Sequence, residues 1–348
     1  MTVGSVNLGF FNRIIIDDVM MYDQKGDSMI YASRISAKVS LMPLLNQKIS
    51  IASAQLFGLK ANLYQQTPQS KHNFQFVLDS LASKDTTKHT PLDLHIGSLI
   101  IRHGAVKYDK RYIASKSGVF SPAHISISDL STHIIANHIT DDAINLHIKK
   151  LAFRDKSGLQ LNSLSFKLDA NKREATLKEF ELQLPHSDIT LGDIHATYRF
   201  DNGKLVMPTL QYSGSIEQSK ITLSDIACLL PIFRHFEDAV FFDTQFTGTS
   251  TSLRCQKINF KTGSGSINLQ AKGRISDWNS RPAWDVDIAN LNLTEESISF
   301  ISHNLGKKIN VPKEVTRLGG IHYVGHLSGH GDRLSSKGRL EMGVGNAD

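Results

Sequence analysis

Cysteine is scarce: Cys228 and Cys255 are the two in 348 residues, too few for a disulfide framework. A single bridge between them would need an oxidising compartment. No uninterrupted apolar run approaches the roughly 18 residues that a membrane-crossing helix requires. The first residues, Met1-Thr2-Val3-Gly4, offer neither a basic n-region nor an apolar h-region. The chain therefore reads either as cytoplasmic or as a piece whose export signal lies elsewhere. Clusters of like charge are missing too. The formal net charge is +6, but the lysines and arginines are dispersed, without the stripe that counterion release on nucleic acid needs. Nucleic acid is not an expected partner, whereas a mildly basic surface suits anionic lipid headgroups.

Catalytic signatures are equally absent. Gly263-Ser264-Gly265-Ser266 and Gly329-His330-Gly331 complete neither G-x-G-x-x-G nor a Walker loop. No G-x-S-x-G nucleophile elbow and no H-E-x-x-H occurs. His322, His326 and His330 would line one face of a helix, but Gly325, Gly329 and Gly331 oppose a helix there. On a strand the first and third would stand about 26 Å apart at ~3.3 Å per residue, too far for one metal ion. They read as polar outward positions. Asp17-Asp18 and Asp141-Asp142 read as turn markers rather than catalytic pairs. No enzyme, cofactor or metal is expected.

What is present is repetition. Leu92, Leu94 and Ile96 alternate with polar residues, the period of a strand with one buried face. After Ile96 the phase slips by one and apolar residues resume at Leu99 and Ile101, as an extra residue at Gly97-Ser98 would cause. The pattern apolar-x-x-apolar-x-apolar recurs at Val3–Leu8, Ile51–Leu56, Ile148–Phe153, Leu177–Leu182, Leu191–Ala196, Cys255–Phe260 and Ile288–Leu293. Strand after strand, built by loose repetition, is the expectation. With 40% hydrophobic and 21% charged residues, disorder is excluded.

In chain order, Phe10–Ile16 and Val19–Tyr22 read as strands, followed by a turn at residues 23–27 and further strands at Met29–Tyr31 and Ile35–Leu41. Pro43-Leu44-Leu45 is a connector and Ile49–Tyr64 a second strand block. Phe74, Val77, Leu78 and Leu81 share a helical face, which predicts a short helix over 74–83 before a polar loop at 83–90. Strands then run from Leu92 to about Tyr212. Ser224 and Asp225 look like the N-cap of a helix over 226–236, kinked at Pro231. Thr294 caps another over 295–304, and Pro312 is placed to open a short helical turn. A weak boundary near 215 divides a segment 1–215 from a segment 216–348, and the C-terminus ends without a cap, as in a fragment.

Phe11-Asn12-Arg13-x-x-x-Asp17-Asp18-Val19, then Asp23-x-x-Gly26-Asp27-Ser28-Met29-Ile30-Tyr31-Ala32, resembles the envelope proteins of the AsmA/TamB type, particularly those of Bacteroidota. Leu41-x-Pro43-Leu44-Leu45-x-x-Lys48-Ile49-Ser50-Ile51, Leu56-x-Gly58, Asn73-Phe74-Gln75-Phe76 and Leu223-Ser224-Asp225-Ile226-Ala227 with Pro231, Phe233 and Phe236 extend the resemblance over nearly the whole chain. Each motif alone is weak and their order carries the likeness. The resemblance implies a long, taco-shaped β-groove that carries phospholipid across the periplasm between inner and outer membrane. It implies an inner-membrane anchor in the full-length protein and an Omp85-type outer-membrane partner. The chain departs from the pattern in showing neither the anchor nor a recognisable outer-membrane end.

The expectation is thus a mainly β protein, an elongated repetitive antiparallel β-groove with a few short helices, acting as a non-enzymatic lipid conduit. Its lining candidates are Ile49, Ile51, Leu56, Leu94, Ile96, Leu99, Ile101, Leu151, Phe153, Leu182 and Phe260, which would solvate acyl chains. Two alternatives remain. One is a scaffold for outer-membrane protein assembly, with a filled interior. The other is a β-helical polysaccharide lyase, which would need an exposed cluster of acids and bases.

Overall fold

The computed structural model describes residues 1–40, 50–82, 95–139, 142–304, 319–331 and 333–347. The fold is mainly β, a large and mostly antiparallel sheet with two α-helices. Two compact units divide the chain, one of Met1–Ile139 and Leu146–Ser165, the other of Thr140–Asn145 and Phe166–Asp348. The division therefore falls inside a strand near 165 rather than near 215. The reason is that strand pairing runs unbroken past 215, as Tyr212 pairs with Gly248 and Ile216 with Thr244.

The first unit begins with β1 (Ser5–Gly9), β2 (Arg13–Tyr22), β3 (Ser28–Ser40), β4 (Ser50–Phe57) and β5 (Lys60–Gln65). Helix α1 (Gln75–Ala82) follows, close to the predicted span, and then β6 (His95–Ile96), β7 (Ser98–Lys110) and β8 (His124–Ile139). β9 (Ala143–Asp155) and β10 (Gln160–Asn171) contribute to both units. Of the predicted strand Phe10–Ile16, Arg13–Ile16 belong to β2, which runs unbroken through Val19–Tyr22, whereas residues 10–12 form the β1–β2 hairpin turn. Phe11 and Asn12 take the left-handed conformation (φ 60° and 57°) that reverses a twisted antiparallel pair. Sheet order also departs from a pure antiparallel meander, because β7 pairs in parallel with both β4 and β5. The predicted connector at Pro43, the loop at 83–90 and the turn at Pro312 lie outside the described residues.

A buried polar knot fixes the β2–β3 turn. Tyr64, 4% exposed, donates its hydroxyl to Asp23 Oδ2 at 2.8 Å. The backbone N–H groups of Lys25 and Asp27 donate to Asp23 Oδ1. Burial opposes ionisation of Asp23, but these three donors outweigh it and hold the carboxyl below its usual range. Arg111 lies over the Tyr64 ring, 3.7 Å from its centroid.

The second unit continues with β11 (Glu174–Gln183), β12 (Asp188–Leu191), β13 (Ile194–Thr197), a hairpin of β14 (Phe200–Asp201) and β15 (Lys204–Leu205), and β16 (Gln211–Ile221). β17 (Val240–Thr249), β18 (Ser252–Thr262), β19 (Ile267–Ser276) and β20 (Ala283–Leu293) form a meander. Helix α2 (Glu296–Asn304), β21 (Ile321–His330), β22 (Arg333–Met342) and β23 (Gly345–Ala347) complete it. The predicted helix over 226–236 is not formed. Two tight 3-10 turns, Leu223–Ile226 and Pro231–Phe233, stand in its place, since Pro231 removes a donor in mid-segment. Nor does Asp225 cap a helix. Its carboxylate accepts from Ser187 Oγ at 2.7 Å and the His186 N–H at 3.0 Å, locking two loops together.

Candidate functional site

Register places the apolar residues of each unit in rows that cross the strands. In the first unit Leu8, Ile14, Ala37, Ala54, Leu99 and Ile134 are successive cross-strand partners. One step along lies the row Val6, Ile16, Ile35, Leu56, Ile101 and Thr132. Paired residues in a sheet point to the same side, so each row is a continuous band. Of the predicted lining residues, Leu56, Leu99 and Ile101 fall in these rows, and Ile51 pairs with Ile96 beside them. Ile49 and Leu94 lie outside the described residues.

The phase slip read at Gly97-Ser98 is a real irregularity. β6 ends at Ile96, β7 starts at Ser98, and Gly97 donates its N–H to Ile51 O at 3.3 Å. Opposite, the β3–β4 register shifts between Lys38 and Val39, leaving Ala52 unpaired. A second line of slips crosses the unit where Asp18, Gly58, His103 and Asp129 take positive φ between 52° and 58°. On either side the apolar phase changes, as in Ile16-Asp17-Asp18-Val19 and Ile101-Arg102-His103-Gly104. Asp17 and Asp18, read as turn markers, are instead in mid-strand at this line. Arg34 donates to Asp17 Oδ1 at 2.6 Å and holds its carboxyl below the usual range, while Tyr31 donates to Asp18.

The second unit repeats the arrangement over more strands. Phe180, Leu191, Ile216, Thr244, Ile258, Ala271 and Ile288 form one row. Phe246, Cys255, Gly273, Val286 and Leu327 form the next, and Phe242, Phe260, Leu269, Leu291, Tyr323 and Leu340 another. Phe260 sits in the last of these rows, and Leu182 pairs with Ile189 beside Phe180–Leu191. The bulges read at Cys255–Ile258 and Ile288–Leu291 appear as register shifts at those residues, and Glu179 marks another with φ 53°. In β9, Leu151 and Phe153 are half-buried, and the pair Lys149-Lys150 that precedes them is exposed.

A fourth row, Tyr212, Gly248, Leu253, Ile275, Trp284 and Gly329, sets aromatic rings across cross-strand glycines. A Cβ on Gly248 would collide with the Tyr212 ring, and one on Gly329 with the Trp284 indole, about 2.5 Å away. Glycine at such a position lets a large ring lie flat on the neighbouring strand. Sequence reasoning passed over Tyr212, Phe246, Trp284, Val286 and Leu327, although their alternation carried the same signal.

Most of these side chains are only half-buried. Among the described residues the buried hydrophobic set is small: Val19, Met29, Ala32, Ala54, Leu59, Tyr64, Leu161, Cys228, Ile288 and Tyr323. Ordinary domains bury most of their large apolar side chains behind a second layer. Here, among the described residues of each unit, the rows have apolar neighbours along the sheet, yet most of their side chains are no more than half-buried.

The three histidines of β21 lie along one strand, and His322 and His326 have separate partners. His322 Nε2 is 3.1 Å from Asn290 Oδ1, and His326 Nδ1 is 2.8 Å from Asp287 Oδ1. That contact holds the Asp287 carboxyl below its usual range. Cys228 and Cys255 are both free thiols. Among the described residues no helix is long and apolar enough to cross a membrane. Comparison of the chain with known protein families, with curated proteins and with solved structures finds no match.

Proposed function

We propose that this protein is a non-enzymatic lipid conduit of the bacterial envelope, of the AsmA/TamB type, in which the apolar rows solvate phospholipid acyl chains. The reading places it in the periplasm, anchored to the inner membrane in its full-length form and working toward the outer membrane, with an Omp85-type protein as a partner. The observation that carries it is the pairing of two facts. Apolar side chains are held in register across many strands, yet few of them are buried. A face of this kind is stable in water only at a cost of about 25 cal/mol per Å² left exposed, which an apolar ligand removes.

Transfer chemistry favours such a lining. At roughly 0.8 kcal/mol per methylene, a lipid with some thirty methylenes resists leaving a bilayer by over ~20 kcal/mol. A conduit must return that energy at each step, so its lining has to be continuous and uniformly apolar. Rows that persist across strands meet this requirement, and the bulges keep them in phase.

The test is mass spectrometry of lipid that co-purifies with the chain after expression in a bacterial periplasm. The comparison is with a Leu56→Asp, Ile101→Asp variant, which puts two unpaired charges in one row. Phospholipid retained by the parent and lost from a still-folded variant is the expected result. A parent that carries no more lipid than a washed control protein would end the conduit reading and leave a packed assembly scaffold.

A further inference from the structure

The opposite, polar face of the second unit carries a site of its own. Alternation puts Ser213, Thr247, Arg254, Arg274, Asp285 and Ser328 in one unbroken cross-strand row from β16 to β21. This row forms the floor of an open concavity of about 1050 Å³. His195, the cross-strand partner of Ser213, stands with Thr197 at one end, and His326 of a neighbouring row stands at the other.

Two features of the floor ask for a ligand. Arg254 and Arg274 are direct cross-strand partners, an arrangement of like charges that destabilises a sheet. Arg274 is compensated, because its Nε donates to Asp285. Arg254 has no anionic partner among the described residues, so the concavity holds one uncompensated guanidinium. The second feature is hydroxyl groups. Ser213 and Ser328 make no side-chain hydrogen bond among the described residues, and each can both donate and accept. Every side chain of the floor row is polar or charged.

We infer that this concavity binds an acidic saccharide, with the carboxylate taken by the forked donors of Arg254 and the sugar hydroxyls by the serine and threonine row. A planar guanidinium matches a carboxylate through two parallel N–H···O bonds. The row crosses six strands, five spacings of ~4.8 Å or about 24 Å in all, which fits an extended oligosaccharide better than a compact anion. Because the site lies on the polar face, it stands or falls independently of lipid binding on the other.

Calorimetric titration of the full chain with trigalacturonate, a neutral maltotriose and inorganic phosphate tests this. Trigalacturonate is expected to bind, with the neutral sugar and the phosphate each weaker by about tenfold or more. Arg254→Gln should weaken trigalacturonate by about tenfold, and Ser328→Phe should block it by filling the floor without changing charge. Arg173→Gln, in a turn outside the concavity, should bind as the parent does. Tryptophan fluorescence confirms that each variant is folded. The inference is overturned if trigalacturonate does not bind at millimolar concentration, if phosphate binds equally well, or if folded Arg254→Gln binds unchanged.

Discussion

Placing an aspartate at two positions of one strand measures directly whether the apolar face is covered. Val286 and Ile288 both belong to β20, two residues apart and therefore on the same side of the sheet. Ile288 is 7% exposed, walled by its row neighbours, whereas Val286 is half-buried between Gly273 and Leu327. Ile288→Asp forfeits up to about 3 kcal/mol of burial and leaves a carboxylate without a partner, so a total of about 4 kcal/mol is expected. Val286→Asp gives up about half of a smaller burial and lets the carboxylate reach water, for about 1–2 kcal/mol. Both tryptophans, Trp278 and Trp284, lie in the second unit, so urea unfolding followed by tryptophan emission reports on that unit alone. With a slope of about 2 kcal/mol per molar urea, the midpoints should fall by ~2 M and by under ~1 M respectively. Equal losses at the two positions would mean that a layer covers Val286, and the uncovered face would be wrong.

Three further outcomes follow from the same structure. Tyr64→Phe removes one charge-assisted donor to Asp23 and should destabilise the first unit by about 1.5–3 kcal/mol at neutral pH, read by hydrogen exchange over residues 20–31. Because the Asp23 carboxyl is held below its usual range, its contribution is present above the unfolded-state pKa and lost as pH falls through the lower folded value. The penalty of Tyr64→Phe should thus shrink below about pH 4, and a pH-independent penalty would refute the assignment. In a Trp278→Phe chain, phospholipid brominated on its acyl chains should quench the remaining Trp284, which lies in an apolar row over Gly329; unchanged emission counts against lipid on that face. Glu179→Gly should stabilise the second unit by about 0.5–1 kcal/mol, raising its urea midpoint by ~0.25–0.5 M, since a positive φ of 53° suits glycine and the exposed Lys167–Glu179 pair contributes little.

What was legible in the sequence was local. The slips at Cys255–Phe260 and Ile288–Leu293 were written in the alternation, because one extra residue reverses every later side chain unless a bulge absorbs it. The helix ending at Asn304 was legible for a similar reason, with Thr294 before it and apolar residues at helical spacing. The segment 226–236 misled because its start resembles a capped helix, yet Leu229, Leu230 and Ile232 stand exposed and Pro231 opens a separate tight turn. Asp225, which looked like a cap, is claimed by Ser187 and His186 from a distant loop. The parallel pairing of β7 with β4 and β5 was illegible altogether, since alternation names a strand's buried side and never its neighbour. The concavity around Arg254 was hidden likewise: its residues come from seven strands and no short motif holds more than two or three of them.

The repetition itself has a physical cause. A bulge in one strand bends it and shifts its phase, so a neighbour without a matching irregularity would lose either its hydrogen bonds or its apolar side. The first unit answers this by aligning left-handed residues at Asp18, Gly58, His103 and Asp129 across β2, the β4–β5 break, β7 and β8. In the second unit, shifts recur at Ile216–Ser219, Cys255–Ile258 and Ile288–Leu291. Each strand therefore has to carry its own apolar-x-x-apolar signature, which is why a motif too short to mean anything once becomes informative by recurrence. The same constraint would serve the proposed conduit, because it is the rows, rather than any single residue, that the bulges keep continuous.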